Sequence, residues 1–233
     1  MAARFSISIV CFTNLTGAKA CIASVLKSTL PFDLILTANG NAEAGDYFDE
    51  LKAEYGNIRV IHNSENAGFI GPNRFAFGLM ETPFAVFLND DAIVPPNWLE
   101  KLVAPFERDL DMAVVGQKNA CCSLDENFCG YHGKQYEYAE FSCAMVSVPI
   151  VKRLGLFSQF LEFANCEDSD LSLRARQAGY HIACADFAIQ HEVGATRKHV
   201  PGLAEIYRKN LAACQARWGE YLKSKDRKFS CER

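Results

Sequence analysis

A chain of 233 residues that is 49% hydrophobic and 22% charged can bury a sizeable core, which excludes a disordered or low-complexity segment. Its net charge of −4 argues against a nucleic-acid surface, although a local site for an anion stays compatible with it, above all one that carries its own metal. The 10 cysteines are dispersed, form no C-x-x-C pairs and sit largely in apolar runs, so reduced thiols and a cytoplasmic setting are expected; no apolar run approaches membrane-spanning length.

In chain order, Phe5 to Thr13 is rich in β-branched and aromatic residues and predicts a first strand, after which Thr16 is placed to cap a helix over about residues 17–28. Pro31 ends that helix, Leu34 to Ala38 predicts a second strand, and the turn residues Asn39-Gly40-Asn41 close it. A helix over about residues 46–55 and a short strand from Arg59 to His62 follow, and this βαβαβ order predicts a parallel sheet with right-handed crossovers. Asn63 to Phe69 is a polar loop, with Pro72 at the first position of a helix through Met80. Phe84 to Leu88 has the length and composition of a strand buried on both faces, and it stops abruptly at Asn89-Asp90-Asp91. Asn97 is placed to cap a helix with Leu99, Leu102, Val103 and Phe106 on one face, and Met112 to Gly116 is a further strand.

From Lys118 to Tyr138 the periodicity is lost, which predicts an excursion away from the sheet carrying Tyr131, His132 and Tyr136. Glu140 to Val148 returns as a strand, Pro149 to Leu154 is a short helix, and Phe157 to Cys166 is a loop rich in aromatics. Glu167 and Asp168 open a helix in which Leu171, Arg174, Ala175 and Ala178 share a face and Gly179 follows the end. Ile182 to Ala185 is a short strand, Gln190-His191 comes next, and an amphipathic helix runs from Pro201 to about Leu222 before a charged, frayed end.

Three polar clusters therefore lie where strands stop: Asn89-Asp90-Asp91, Glu167-Asp168 and His191. Each has an ordinary structural explanation, as a turn that bonds its own backbone, as acids favoured at a helix start, and as a packed histidine. Together they allow more. Ligands bind at the carboxyl edge of open α/β sheets, and adjacent carboxylates there invite a hard cation. Asp91 and His191 could hold Mn2+ or Mg2+, a diphosphate could complete the shell, and Asp168 or Glu167 is then the carboxylate placed to take a proton from an acceptor hydroxyl. Such an arrangement suits group transfer from a nucleotide-activated donor.

The order of these motifs resembles the family 2 glycosyltransferases of the GT-A fold over about residues 5–197. The matching residues are Ser6 to Asn14, Asn39-Gly40, Asn66-Ala67-Gly68-Phe69 with Asn73, Leu88-Asn89-Asp90-Asp91 with Pro95 and Trp98-Leu99, Glu167 to Leu171 with Arg174 and Gly179-Tyr180, and His191 with Gly194 and Thr196. The resemblance implies an α/β chain with a single GT-A domain over residues 1–200, a Rossmann-like, mostly parallel sheet flanked by helices, and a C-terminal helical tail over residues 201–233. Its donor half would be about residues 1–116 and its acceptor-side half about 117–200. It implies an inverting enzyme that takes a sugar from a nucleotide-diphosphate sugar to a glycan or lipid-linked acceptor with Mn2+ or Mg2+. Asn89-Asp90-Asp91 then matches the D-x-D motif, with Asp91 on the metal and Asp90 near ribose and diphosphate; His191 matches a metal or diphosphate contact. Asp168 matches the base, with Glu167 orienting the acceptor or a neighbouring loop. Thr13, Asn14, Asn39, Asn66, Gly68, Asn73, Asn89 and Asp90 are the implied donor-binding residues. Ala38 stands where the family usually has the Asp that reads a uracil or thymine imide, and Asn89 replaces the first acid of D-x-D, so the base is unassigned. A catalytically silent GT-A domain that binds a glycan or nucleotide, and a nucleotidyltransferase, are the alternatives. Peripheral contact with the inner face of a membrane is left open.

Overall fold

A computed structural model describes residues 3–118, 121–122, 138–191 and 199–229. Strands β1 (Phe5–Cys11), β2 (Phe32–Asn39), β3 (Ile58–Asn63), β4 (Phe84–Asn89), β6 (Met112–Gln117), β9 (Cys143–Ser147) and β10 (His181–Ala185) form one sheet in the order β10-β6-β9-β4-β1-β2-β3, and the short strands β5 (Ala92–Ile93), β7 (Cys121–Cys122), β8 (Tyr138–Ala139) and β11 (Gln190–His191) form two ladders, β5 with β11 and β7 with β8. All neighbours in the sheet are parallel except β9, which runs antiparallel to both β4 and β6. The mostly parallel α/β architecture expected from the sequence is therefore present, with one reversal that puts the beginning of β9 at the edge where the other strands end.

Helices α1 (Leu15–Val25), α2 (Ala42–Glu54) and α4 (Trp98–Arg108) cover one face, and α3 (Ile70–Gly78), α5 (Val148–Leu154), α6 (Glu167–Gln177) and α7 (Leu203–Phe229) cover the other. Alternation along the strands sorts the side chains. Val86 and Leu88 of β4 enter the first layer, while Ala85 and Phe87 enter the second, where Phe87 stacks on Phe141 at 5.3 Å. Ser6 and Ser8 put hydroxyls into the second layer; Ser6 Oγ pairs with Thr82 Oγ1 at 2.8 Å and Ser8 donates to Asn73 Oδ1 at 2.7 Å, so both buried groups are satisfied.

Several expected boundaries move for identifiable reasons. The cap of α1 is Asn14 rather than Thr16, with Asn14 Oδ1 accepting from Gly17 N at 3.0 Å, and Asn41 caps α2 in the same way, so both helices begin earlier. Asn97 precedes α4 in a left-handed conformation without a side-chain cap bond. Helix α3 begins at Ile70, two residues before Pro72, because Phe163 O accepts from Phe69 N at 2.7 Å and Ile70 N at 2.9 Å and so satisfies the helix start from outside. Helix α6 is buried beyond the expected stripe, including Ser169, Asp170, Ser172 and Leu173, whereas Ala178 is exposed. Its cover on that second side is α7, which extends to Phe229 and buries Cys214, Trp218 and Leu222. No helix among the described residues is long and apolar enough to cross a membrane. Of the aromatic excursion, residues 119–120 and 123–137 lie outside the described residues, including Tyr131, His132 and Tyr136, as do Gly194 and Thr196.

Gly68 has φ +73°, and a Cβ there would meet Phe163 O at 2.3 Å, a backbone atom that cannot swing aside. Gly68→Ala is expected to lose about 2–4 kcal/mol, combining left-handed strain with a local clash. Gly71→Ala, whose Cβ would meet only Ala67 Cβ at 3.6 Å, is the control and stays within about 1 kcal/mol of the parent in denaturant unfolding. Equal stabilities for the two variants would contradict the close approach.

Candidate active site

The chain leaves β1 for β2 and β3 on one side and returns to β4 on the other, so the order switches between β1 and β4. The crevice at the carboxyl ends of those strands is the expected ligand position in an open α/β sheet. Asn89-Asp90-Asp91 lies there. The Asn89 backbone is fixed on two sides, its N–H donating to Ser142 O at 3.1 Å and its carbonyl accepting from Cys21 Sγ at 3.4 Å. Asp90 is 7% exposed. Burial, with the Asp91 carboxylate adding, pushes Asp90 up to about 7 against the bond from the Cys11 thiol. Its Oδ2 is buried with no hydrogen-bond partner among the described residues.

Asp91 Oδ1 lies 3.0 Å from His191 Nε2, which is also 3.2 Å from Asn89 Nδ2. The bond to Asp91 raises His191 above the ordinary imidazole range. What brings these residues together, 100 positions apart in the chain, is a short ladder that the sequence did not announce: β5 (Ala92–Ile93) pairs antiparallel with β11 (Gln190–His191), and His191 sits opposite Ala92. A carboxylate, an imidazole and an orphaned carboxylate oxygen fit a hard divalent cation that also takes oxygens from a ligand. Among the described residues, however, no group of three or more such side chains is assembled.

The second cluster stands at the start of α6. Cys166 precedes the helix in a left-handed conformation, φ 69°, without a side-chain cap bond. Glu167 is buried, and Asp168 is half-buried, with Oδ1 accepting from Ser169 N at 2.7 Å and Ser169 Oγ at 3.1 Å. Burial pushes Asp168 up to about 6, the Ser169 bonds oppose it, and the Glu140 carboxylate adds to the rise.

Glu140, expected from the sequence to open a strand, lies between β8 and β9, because β9 begins only at Cys143 and ends at Ser147. It is flanked by two tethers: Ala139 N donates to Ser172 Oγ on α6 at 3.3 Å, and Ser142 O holds Asn89 N. Its charge also raises His191, so it acts electrostatically on both clusters. The available signal was an acid opening an otherwise apolar strand; its meaning depends on the reversal of β9, which takes that opening to the ligand edge.

The remaining implied donor residues divide. Thr13 is exposed at the end of β1, and Asn14 caps α1. Asn39 is 1% exposed and uses its whole amide on the loop after β3: Nδ2 donates to Asn66 Oδ1 at 2.8 Å and Gly68 O at 3.0 Å, and Oδ1 accepts from Asn63 Nδ2 and Ala67 N, both at 3.0 Å. Asn66 Oδ1 also accepts from Gly68 N at 2.9 Å, and Asn73 Nδ2 donates to Phe69 O at 2.9 Å. Asn39, Asn66, Gly68 and Asn73 thus give the loop its shape. Cys11, Cys21, Cys143, Cys166 and Cys214 are free and buried, whereas Cys184 is disulfide-bonded, a departure from the expectation of reduced thiols throughout.

The family described as Glycosyl transferase family 2 matches residues 6–146. A glucosyl-dolichyl phosphate glucuronosyltransferase of Haloferax volcanii is 32% identical over 99 residues, covering 41% of this chain and 31% of that protein. An uncharacterized glycosyltransferase of Haemophilus influenzae is 25% identical over 118 residues, 50% of this chain and 36% of that protein, so the chain spans about a third of the length of these relatives. Among solved structures, S. aureus TarS 1-349 in complex with UDP-GlcNAc superposes with a TM-score of 0.66 at 15% identity, covering 91% of this chain and 66% of that one. GalNAc-T7 with UDP, GalNAc and Mn2+ gives 0.66 at 16% identity, covering 78% and 42%. At those identities the likeness is one of fold, and the fold is GT-A. With the family match spanning more than half of the chain, on a sheet whose switch point carries Asn89-Asp90-Asp91, the protein belongs to the family 2 glycosyltransferases.

Proposed function

We propose that this chain is an inverting glycosyltransferase that moves a sugar from a nucleotide-diphosphate sugar to a hydroxyl of a glycan or lipid-linked acceptor, using Mn2+ or Mg2+. The observation that carries this reading is the pairing of Asp91 and His191 at the β1/β4 switch point, with the raised carboxyl of Asp168 acted on by the same Glu140 charge that raises His191. Asp91 and His191 would hold the cation, which when bound neutralises charge on a departing diphosphate. Asp90, Asn89 and Thr13 line the crevice for the nucleotide, while Asn39, Asn66, Gly68 and Asn73 set the wall beside it. Asp168 takes the acceptor proton as the acceptor oxygen bonds to the anomeric carbon and the diphosphate leaves from the opposite face. With Oδ1 held by Ser169, Oδ2 is the oxygen left for that proton, and Glu167, in the same first turn, orients the acceptor or a neighbouring loop.

The ligands of the two GT-A structures, UDP-GlcNAc in one and UDP, GalNAc and Mn2+ in the other, favour a uridine diphosphate-sugar and a metal. The dolichyl-phosphate relative favours a lipid-linked acceptor met at the inner face of a membrane. Among the described residues, five free buried thiols favour a reducing compartment, while the disulfide of Cys184 points the other way. The test is transfer, or slow donor hydrolysis, across a panel of nucleotide sugars with and without manganese; absence of both turnover and nucleotide binding sinks the reading. Binding without turnover on any acceptor would leave a silent GT-A domain.

The metal assignment makes its own prediction. Asp91→Ala is expected to weaken binding of a nucleoside diphosphate in Mn2+ by at least about tenfold, as loss of one charged ligand implies, and to abolish the difference between Mn2+ and chelator. Calorimetry reads both, and an undiminished metal dependence in the variant would remove Asp91 from the ligand set.

A further inference from the structure

The segment that delivers Asp168 is strained and braced. Phe163, Asn165 and Cys166 have φ of 59°, 77° and 69°, so three of the four residues immediately before Glu167 lie in the left-handed region and none is a glycine. Such conformations persist when the surroundings over-determine them, and they gather where position matters for function. Here the surroundings are two braces. On one side Phe163 O accepts from Phe69 N and Ile70 N at the start of α3. On the other stands Asn210 of α7, which is 2% exposed. Its Nδ2 donates to Glu162 O at 2.8 Å, Ala164 O at 2.9 Å and Asn165 O at 3.2 Å, and its Oδ1 accepts from Glu162 N at 3.1 Å.

Helix α7 carries this amide in a stripe of period four. Cys214 meets Cys166, Trp218 Nε1 donates to Asp170 Oδ1 at 3.0 Å, and Leu222 is buried one turn further on. Cys214, Trp218 and Leu222 suffice to dock an amphipathic helix. Asn210 adds nothing apolar to that dock; its donors and its acceptor all go to main-chain groups of the loop. An amide that satisfies three carbonyls and one N–H of a strained segment fixes the shape of that segment, and the segment ends two residues before Asp168.

We infer that Asn210 is a positioning residue for glycosyl transfer: acting through the loop 162–166, which it holds against the start of α3, it sets where α6 begins and therefore where the Asp168 carboxylate stands. This rests on the reading of Asp168 as the base, and the loop's geometry can be tested apart from it. Asn210→Ala removes the brace. Asn210→Asp keeps the size and the acceptor for Glu162 N but turns a carboxylate oxygen toward three carbonyls, so it is expected to be at least as damaging. Leu222→Ala is the control, because it weakens the docking of α7 without touching the loop.

Amide hydrogen exchange is the first readout, at Phe69 and Ile70, which donate to Phe163 O, and at Ser169, which donates to Asp168 Oδ1. Exchange at these three amides is expected to accelerate by at least about tenfold in both Asn210 variants and to stay near the parent rate in Leu222→Ala. The second readout is kinetic. Below the melting temperature, kcat falls by about 10- to 100-fold in the Asn210 variants, with nucleoside diphosphate affinity in Mn2+ changed less than about threefold, whereas Leu222→Ala keeps its kcat. Unchanged exchange at the three amides in the Asn210 variants, or a kcat loss that Leu222→Ala shares, overturns the inference. A parent protein that transfers no sugar from any donor fails the transferase reading alone, and the exchange result then decides whether Asn210 holds the loop and Asp168.

Discussion

Replacing Asp168 with Asn is expected to lower turnover by about 10²- to 10⁴-fold, or about 2.7–5.5 kcal/mol of barrier, while nucleotide binding in Mn2+ stays within a few-fold of the parent. The asparagine keeps the size of the side chain and an oxygen for the Ser169 bonds, but it cannot accept the acceptor's proton. The pH dependence follows from burial, which together with Glu140 places Asp168 at about 6. A base acts only when unprotonated, so the transfer rate of the parent rises with pH through about 6 and levels above it, and in Asp168→Asn this limb disappears. The check is a pH profile of kcat/KM on the best donor and acceptor pair. Turnover within threefold of the parent, or an unaltered acid limb in the variant, would assign the proton to another group.

Asp170→Ala is expected to cost about 3–5 kcal/mol of folding stability, because it leaves a buried cation without its partner. Asp170 is wholly buried, and its Oδ2 accepts from Ser158 Oγ at 2.7 Å and Arg174 Nε at 2.8 Å, while Oδ1 accepts from Trp218 Nε1 at 3.0 Å. The same Arg174 donates to Leu154 O at 2.9 Å, Gly155 O at 2.6 Å and Leu156 O at 2.9 Å. One carboxylate therefore ties α6 to α7 and, through Arg174, to the loop after α5. For a chain of 233 residues that loss corresponds to a melting point lower by roughly 6–20 °C. Asp170→Asn, which keeps two acceptor positions on its oxygen and the volume, should lose less. A melting point within about 2 °C of the parent for Asp170→Ala would show that packing of Trp218 and Leu222, and not this network, holds α7.

The carboxyl-edge acids were legible because a parallel strand buried on both faces leaves an uninterrupted apolar run, so the polar residues after Leu88 mark where the sheet stops. The order of later clusters gave the fold for the same reason: each strand end contributes a short polar signature at a spacing set by the crossover helices. Helix starts were less legible. Asn14 and Asn41 compete with nearby Thr16 and the acids of α2 as caps, and local preference alone does not separate them. The start of α3 at Ile70 was beyond reach, since its amides are satisfied by Phe163 from another part of the chain.

Glu140 and Asn210 show the same limit at the site. An acid just ahead of a strand becomes an edge residue only when that strand is reversed, and a helix asparagine becomes a brace only when a loop is brought under it. Neither condition is local. Hydrophobic periodicity and the punctuation of Gly, Pro and Asn settled the element types, the α/β class and the identity of Asp91, Asp168 and His191 as candidates, because those signals act over one or two turns of chain. The pairing of His191 with Asp91, the elevation of Asp168 by burial and Glu140, and the grip of α7 on the loop before Asp168 were set by contacts between residues tens of positions apart. Distances of a few ångströms and removal from water decide those interactions, and both come into being only when the sheet and its helices close together.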